Sequence, residues 1–147
     1  MTHAGNPVAT VAHRICAAVN SHDLNRVVAC FSEDYVNETP AHPARSFLGR
    51  DQVRSNWTRI FTGVPDVHAR VSRTVVDGPT VWTEWELAGT RGDATAFLLR
   101  GVIIFLIRAD TIQAATFYLE PVDEAGGDVD TAIGRVLGDP AGSKETS

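Results

Sequence analysis

Tyr35 and Asn37 lie two residues apart in a segment that reads as a short strand, so their side chains share a face. A phenol and a carboxamide both donate and accept hydrogen bonds without changing charge. That suits them to hold a water or a substrate carbonyl. Either this pair faces a cavity, or Tyr35 packs by its ring and Asn37 meets solvent. Tyr118 and Glu120 form a second pair of the same spacing, just before Pro121. A glutamate enclosed by apolar walls has its charged form disfavoured and its pKa raised, which makes it a useful acid or base near neutral pH. At a strand terminus the same residue can equally stand in water. The five histidines (His3, His13, His22, His42 and His68) have no ligand spacing, so no metal is expected. No phosphate-cradling glycine loop or nucleophile elbow is present, and no cofactor is expected. Arg91-Gly92-Asp93 reads as a turn. Cys16 and Cys30 each fall within an apolar helical pattern and read as buried thiols in a reducing compartment.

The elements that carry these residues follow from periodicity. Val8, Val11, Ala12, Ile15, Cys16 and Val19 recur on one helical face, interrupted by the cap-forming run Asn20-Ser21-His22-Asp23. A shorter helix runs through Leu24, Val27, Val28 and Phe31, and the strand Tyr35-Val36-Asn37 follows. The stretch from Thr39 to Ser46 holds two prolines and reads as a loop. Gly49-Arg50-Asp51 then opens a third helix with the face Val53, Trp57, Ile60 and Phe61. From Asp66 the period becomes two. Asp77-Gly78-Pro79 is a hairpin turn, and strands run over Thr80 to Leu87, Ala94 to Ile107 and Thr111 to Glu120. After an acidic, glycine-rich linker, Val129 to Leu137 suggests a short amphipathic helix, and residues 139–147 are expected to be disordered. Helices segregated from meandering strands argue for an α+β fold.

The 147 residues suit one domain, placed at 1–138, with 44% apolar content and enough chain to bury a core. The net charge of -5 argues against a nucleic-acid partner. No run of apolar residues is long enough for a spanning helix, and no signal segment is visible at the start. The expected location is cytoplasmic, with no membrane partner.

The element order resembles the NTF2-like superfamily, in its SnoaL-like and limonene-epoxide-hydrolase-like branches. Four stretches carry the likeness: Asn20 to Leu24; Tyr35 to Pro40 with Gly49-Arg50-Asp51; Leu99-Arg100-Gly101-Val102; and Phe117-Tyr118-Leu119-Glu120. The resemblance implies a cystatin-like cone, in which a strongly bent antiparallel sheet wraps around three N-terminal helices and leaves an apolar cavity. It implies that Tyr35 and Asn37 hold a water and that Glu120 is the general base. Trp57, Phe61, Trp85, Phe97, Leu99 and Tyr118 are the expected substrate-binding wall, the Phe97 and Leu99 side of their strand facing inward. The hydrolases also carry an Arg-x-Asp pair. Here Trp85 and Leu87 stand at those positions, while Glu84 and Glu86 are one residue out of register, on the opposite face unless a bulge intervenes.

Two functions from different classes are therefore expected. One is a small cofactor-independent enzyme acting by acid-base chemistry on an apolar or polycyclic molecule, as a cyclase, isomerase or epoxide hydrolase. The loss of the second acid suits one-proton chemistry. The other is a non-catalytic protein binding a small hydrophobic ligand, favoured by Trp85 and Leu87 in place of charged residues. The deciding observation is whether Glu120 faces a cavity beside Tyr35 and Asn37. Related cones pair through the outer sheet face, which implies a homodimer.

Overall fold

The computed structural model describes residues 6–138. The tail at 139–147, expected to be disordered, lies outside the described residues. Helix α1 (Pro7–Ser21) starts at Asn6, whose side chain accepts hydrogen bonds from the amides of Val8 and Ala9. It ends at His22, in the left-handed conformation. Asn20 then bonds both the amide and the carbonyl of Ala69, at 2.7 and 3.0 Å, which fastens α1 to the sheet. Asp23 caps α2 (Leu24–Ala29). This helix stops two residues short of Phe31, which instead begins β1 (Phe31–Glu38). The strand is longer than the three residues expected, because Phe31, Tyr35 and Asn37 all turn inward and are buried.

A single turn of 3-10 helix (Pro43–Arg45) and a two-residue strand, β2 (Phe47–Leu48), interrupt the loop that follows. Helix α3 (Arg50–Gly63) begins after Gly49, which has φ of 90° and donates its amide to the Tyr35 carbonyl at 2.7 Å. That positive φ suits glycine, and the bond sets α3 against β1. Strands β3 (His68–Asp77), β4 (Thr80–Thr90), β5 (Ala96–Arg108) and β6 (Thr111–Pro121) form the antiparallel meander. The sheet order is β2-β1-β6-β5-β4-β3, with β1 and β6 parallel. The expected α+β cone is thus present, with one parallel pair at its closing edge. The core lies between α1, α3 and the inner face of the sheet. Helix α4 (Val129–Leu137) follows the linker.

Gly101 sits at the centre of β5, opposite Trp85 on β4 and Leu119 on β6. Its φ is 153°, and a Cβ placed there would approach the Tyr118 carbonyl oxygen to 1.9 Å. Backbone cannot move aside as a flexible side chain would. Gly101→Ala is expected to lower the unfolding free energy by roughly 2–4 kcal/mol. Urea denaturation checks this, and an unchanged midpoint would refute the close packing of β5 against β6.

Candidate functional site

A cavity of about 270 Å³ opens between α3 and the sheet. Leu87, Leu99, Phe117 and Leu119 form its sheet wall, and Val53, Trp57 and Ile60 its helix wall. A smaller space of about 50 Å³ continues inward, between Trp57 and Trp85 and down to Ile103 and Phe105. The walls are apolar because the inner rows of β4, β5 and β6 are apolar. Leu87 pairs with Leu99, Trp85 with Gly101, and Ile103 with Phe117, and paired residues share a face.

Polar groups gather at one side. The Tyr35 hydroxyl donates to Asn37 Oδ1 at 2.7 Å, and Asn37 Nδ2 donates to Thr39 Oγ1 at 3.4 Å. All three side chains are buried and line the cavity, with Tyr35 only 1% exposed. Burial pushes the Tyr35 pKa well above its ordinary value of 10.0, so the phenol stays neutral. Phe31 packs edge-on against its ring at 4.7 Å. Asn56 and Arg45 complete the polar lining.

Tyr35, Asn37, Trp57 and Leu99 line this cavity together, and Trp85 lines its inner end. Trp85 is fixed there by its Nε1, which donates to Thr83 Oγ1 at 2.7 Å. Phe61 lies behind the wall, its ring 5.6 Å from Trp57 and 5.2 Å from His22. Phe97 lines an adjoining groove instead.

Glu120 and Tyr118 require correction. Glu120 pairs with Arg100 in the β5–β6 register and Tyr118 with Val102, on the row opposite Leu119 and Phe117. Both therefore stand on the outer face. Glu120 makes an ion pair with His42 at 3.1 Å, with its side chain 42% exposed, and Tyr118 is 45% exposed. The physical reason is the two-residue side-chain period: Ala115, Phe117 and Leu119 go inward, so Glu120 cannot. Glu84 and Glu86 are outward as well. The bulge near them falls in β3, between Val71 and Arg73, and leaves β4 regular. Glu86 joins Arg100 at 3.0 Å and Arg70 at 3.1 Å, and these guanidiniums hold its carboxyl below the usual range. Among the described residues no carboxylate lines the cavity.

Thr39, Arg45, Asn56, Phe117 and Leu119 were not among the expected site residues. Asn56 had a signal, since it stands three residues after Val53 on the face that also carries Trp57 and Ile60. Phe117 and Leu119 were legible as the more apolar row of β6. Thr39 and Arg45 sit in a loop whose path no periodicity reveals. Among the described residues no group of three or more His, Cys, Asp and Glu side chains is placed to hold a metal ion.

Tyr35→Phe leaves the buried Asn37 oxygen without its donor and is expected to cost about 1–3 kcal/mol in urea unfolding. It also changes the alkaline limb. A phenol with a raised folded pKa contributes stability that is full below the unfolded value of 10.0 and is lost as pH rises beyond it. The half-buried thiol of Cys16 and the buried thiol of Cys30, both raised by desolvation, act in the same direction from their ordinary value of 9.0. The slope above pH 10 should therefore become shallower, not vanish, in Tyr35→Phe. Equal slopes in the two proteins would contradict a buried Tyr35 hydroxyl.

The cone is shared with solved structures at low identity. Wild-type IdmH from Streptomyces antibioticus, described as a candidate polyketide cyclase, superimposes with a TM-score of 0.67 at 19% identity over 78% of this chain and 91% of that one. A SnoaL-like candidate polyketide cyclase from Shewanella denitrificans gives 0.65 at 15% identity, over 77% and 90%. A hypothetical protein of ketosteroid isomerase-like fold from Catenulispora acidiphila, in complex with trimethylamine, gives 0.64 at 17% identity, over 79% and 86%. At these identities the likeness is one of fold. No curated protein sequence matches the chain. The SnoaL-like domain model matches residues 12–115, from the middle of α1 through the first half of β6, and the chain belongs to that SnoaL-like family.

Proposed function

We propose that this chain, one domain over residues 1–138, binds a small apolar molecule in its cone and presents neutral hydrogen-bonding groups to it. The carrying observation is the cavity without a carboxylate. Acid-base catalysis of the expected kind needs a titratable group at the reacting atoms, and Glu120 lies on the other side of the sheet. The buried phenol of Tyr35 holds its proton and cannot replace it. Nor is a water at Asn37 activated by that residue. Its Oδ1 accepts from Tyr35 and its amide can still hold a water, but a neutral carboxamide does not take that water's proton.

A second reading keeps an enzyme of the cyclase or isomerase type. It is favoured by the Tyr35–Asn37–Thr39 chain, whose second Asn37 N–H and Thr39 hydroxyl can donate to a developing oxyanion while the substrate moves its own proton. Turnover of a polyketide-like ketone, abolished in Asn37→Ala, would select it. Epoxide hydrolysis has less support, since Trp85 and Leu87 occupy the inner positions where its charged pair would stand. The unpaired Cys16 and Cys30 suit a reducing, cytoplasmic compartment. No described helix is long and apolar enough to cross a membrane.

Leu99→Trp should fill the cavity. Affinity for a neutral apolar fluorophore should fall at least about tenfold, by the steric penalty of overpacking, with far-UV dichroism retained. Glu120→Gln should leave that affinity unchanged. Retained binding in Leu99→Trp, or loss in Glu120→Gln, would overturn the cavity as the binding site.

We also propose a homodimer through the outer sheet face. Trp82 is 48% exposed and lies in register with Ile104, beside the row of Val102 and Tyr118, and Tyr118 is 45% exposed; exposed aromatics on one sheet face suit an interface. Light scattering should give about twice 15.9 kDa, and Trp82→Glu should halve it. A monomeric mass for the unaltered protein at micromolar concentration would refute the pairing.

A further inference from the structure

Among the described residues, the charged side chains that line the cavity and the groove beside it are all arginines. Arg45 lines the cavity itself. A groove of about 530 Å³ adjoins it, sharing Asn56 and Ile60, and is lined further by Arg59, Arg91 and Phe97. Among the described residues no aspartate or glutamate lines either space. In a chain of net charge -5, three arginines at adjoining openings run against the composition. Elsewhere several arginines are matched to carboxylates: Arg70 and Arg100 to Glu86, Arg73 to Glu84, and Arg50 to Glu33. The side chains of Arg45 and Arg59 differ. Neither has a hydrogen-bond, ion-pair or ring partner among the described residues. Arg91 is partly committed, since it lies over the Phe97 ring at 5.6 Å and donates to Thr95 Oγ1 and the Ala96 carbonyl.

We infer that the cavity and its groove take an anionic amphiphile, with the apolar body between α3 and the sheet and a carboxylate or phosphate facing Arg45 and Arg59. This rests on the cavity being the binding site and names the class of its ligand. Guanidinium groups match both anions through paired N–H donors. The apolar walls would exclude the charged end, so the ligand has one orientation: body inward, anion at the mouth. Asn56, on the boundary between the two spaces, offers a neutral amide beside the anion.

The test compares three probes of equal chain length: decanoate, decyl phosphate and decanol. Each competes with the neutral fluorophore N-phenyl-1-naphthylamine. Both anions should outcompete decanol, and added salt should erode that preference. Arg45→Gln and Arg59→Gln break no contact of the fold, so they should fold normally. Each should weaken binding of the anions by about two- to fivefold, the range of an exposed ion pair, and leave decanol unchanged. A larger loss for decanoate in Arg45→Gln places a carboxylate at the mouth. A larger loss for decyl phosphate in Arg59→Gln places a phosphate in the groove. Decanol binding as tightly as the anions, or anion affinities unmoved in both variants, overturns the inference and leaves the cavity reading standing. Failure of the neutral fluorophore itself to bind overturns both.

Discussion

The two-residue alternation along β4, β5 and β6 is the constraint on which the rest of this molecule depends. Thr83 to Thr90 pairs without interruption with Ile103 back to Ala96, and Ile103 to Leu99 pairs without interruption with Phe117 to Pro121. The irregularities fall outside these runs, between Val71 and Arg73 in β3, between Leu106 and Ile107 in β5, and between Phe31 and Val36 in β1. The central rows are therefore locked. One carries Leu87, Leu99, Phe117 and Leu119 into the cone, and the other carries Glu86, Arg100 and Glu120 outward. No single side chain can change sides without moving its whole strand. An ionised carboxylate on the inner row would face apolar walls without a hydrogen-bonded partner of its own, a cost of several kcal/mol.

A connected polar group enters the cone beside the closing edge of the sheet. Tyr35, Asn37 and Thr39 lie on β1 and its exit, at the edge that closes through the parallel pairing with β6. Each is buried, and each has a partner within the trio. A neutral chain of this kind avoids the desolvation of charge, yet it penalises removal of any member, because the survivor keeps an unmet donor or acceptor. The loop that follows is braced in the same manner. Ser46 Oγ accepts from the Thr39 amide at 3.1 Å, and His42 reaches across to Glu120. Glu120 thus helps hold the segment that carries Thr39 and Arg45, although it lies outside the cavity.

Most of the fold was legible because it is written in periods. The faces of α1 and α3, the hairpin at Asp77-Gly78-Pro79 and the four long strands follow from apolar spacing alone. Boundaries were less legible. Phe31 fits the helical stripe of α2, yet it belongs to β1, because pairing beside β6 outweighs one more turn of a six-residue helix. The site was half legible. Tyr35, Asn37, Trp57, Trp85 and Leu99 come together because each sits on an element whose inward face the pattern identifies. Glu120 was misplaced because family resemblance and strand parity disagreed there, and parity is the physical constraint. Arg45 and Thr39 could not be read, since a proline-containing loop has no period to follow.

These features sort charge by location. The outer face holds paired carboxylates and guanidiniums, the inner rows of the sheet hold none, and the charged residues that line the cavity and its groove, among those described, are arginines. Such sorting follows from desolvation acting differently in three environments. On the outer face water screens each ion, so opposite charges can lie beside one another at little net gain. Inside, no pair would recover its hydration. At the mouth a guanidinium keeps its water on one side while its field extends into a low-dielectric space on the other, where charge acts over a longer range. A cavity built in this way discriminates by the sign of charge at its entrance and by shape within. The neutral Tyr35–Asn37–Thr39 chain lies where those two tests meet, and there it can fix the orientation of a ligand by hydrogen bonds that do not depend on its protonation.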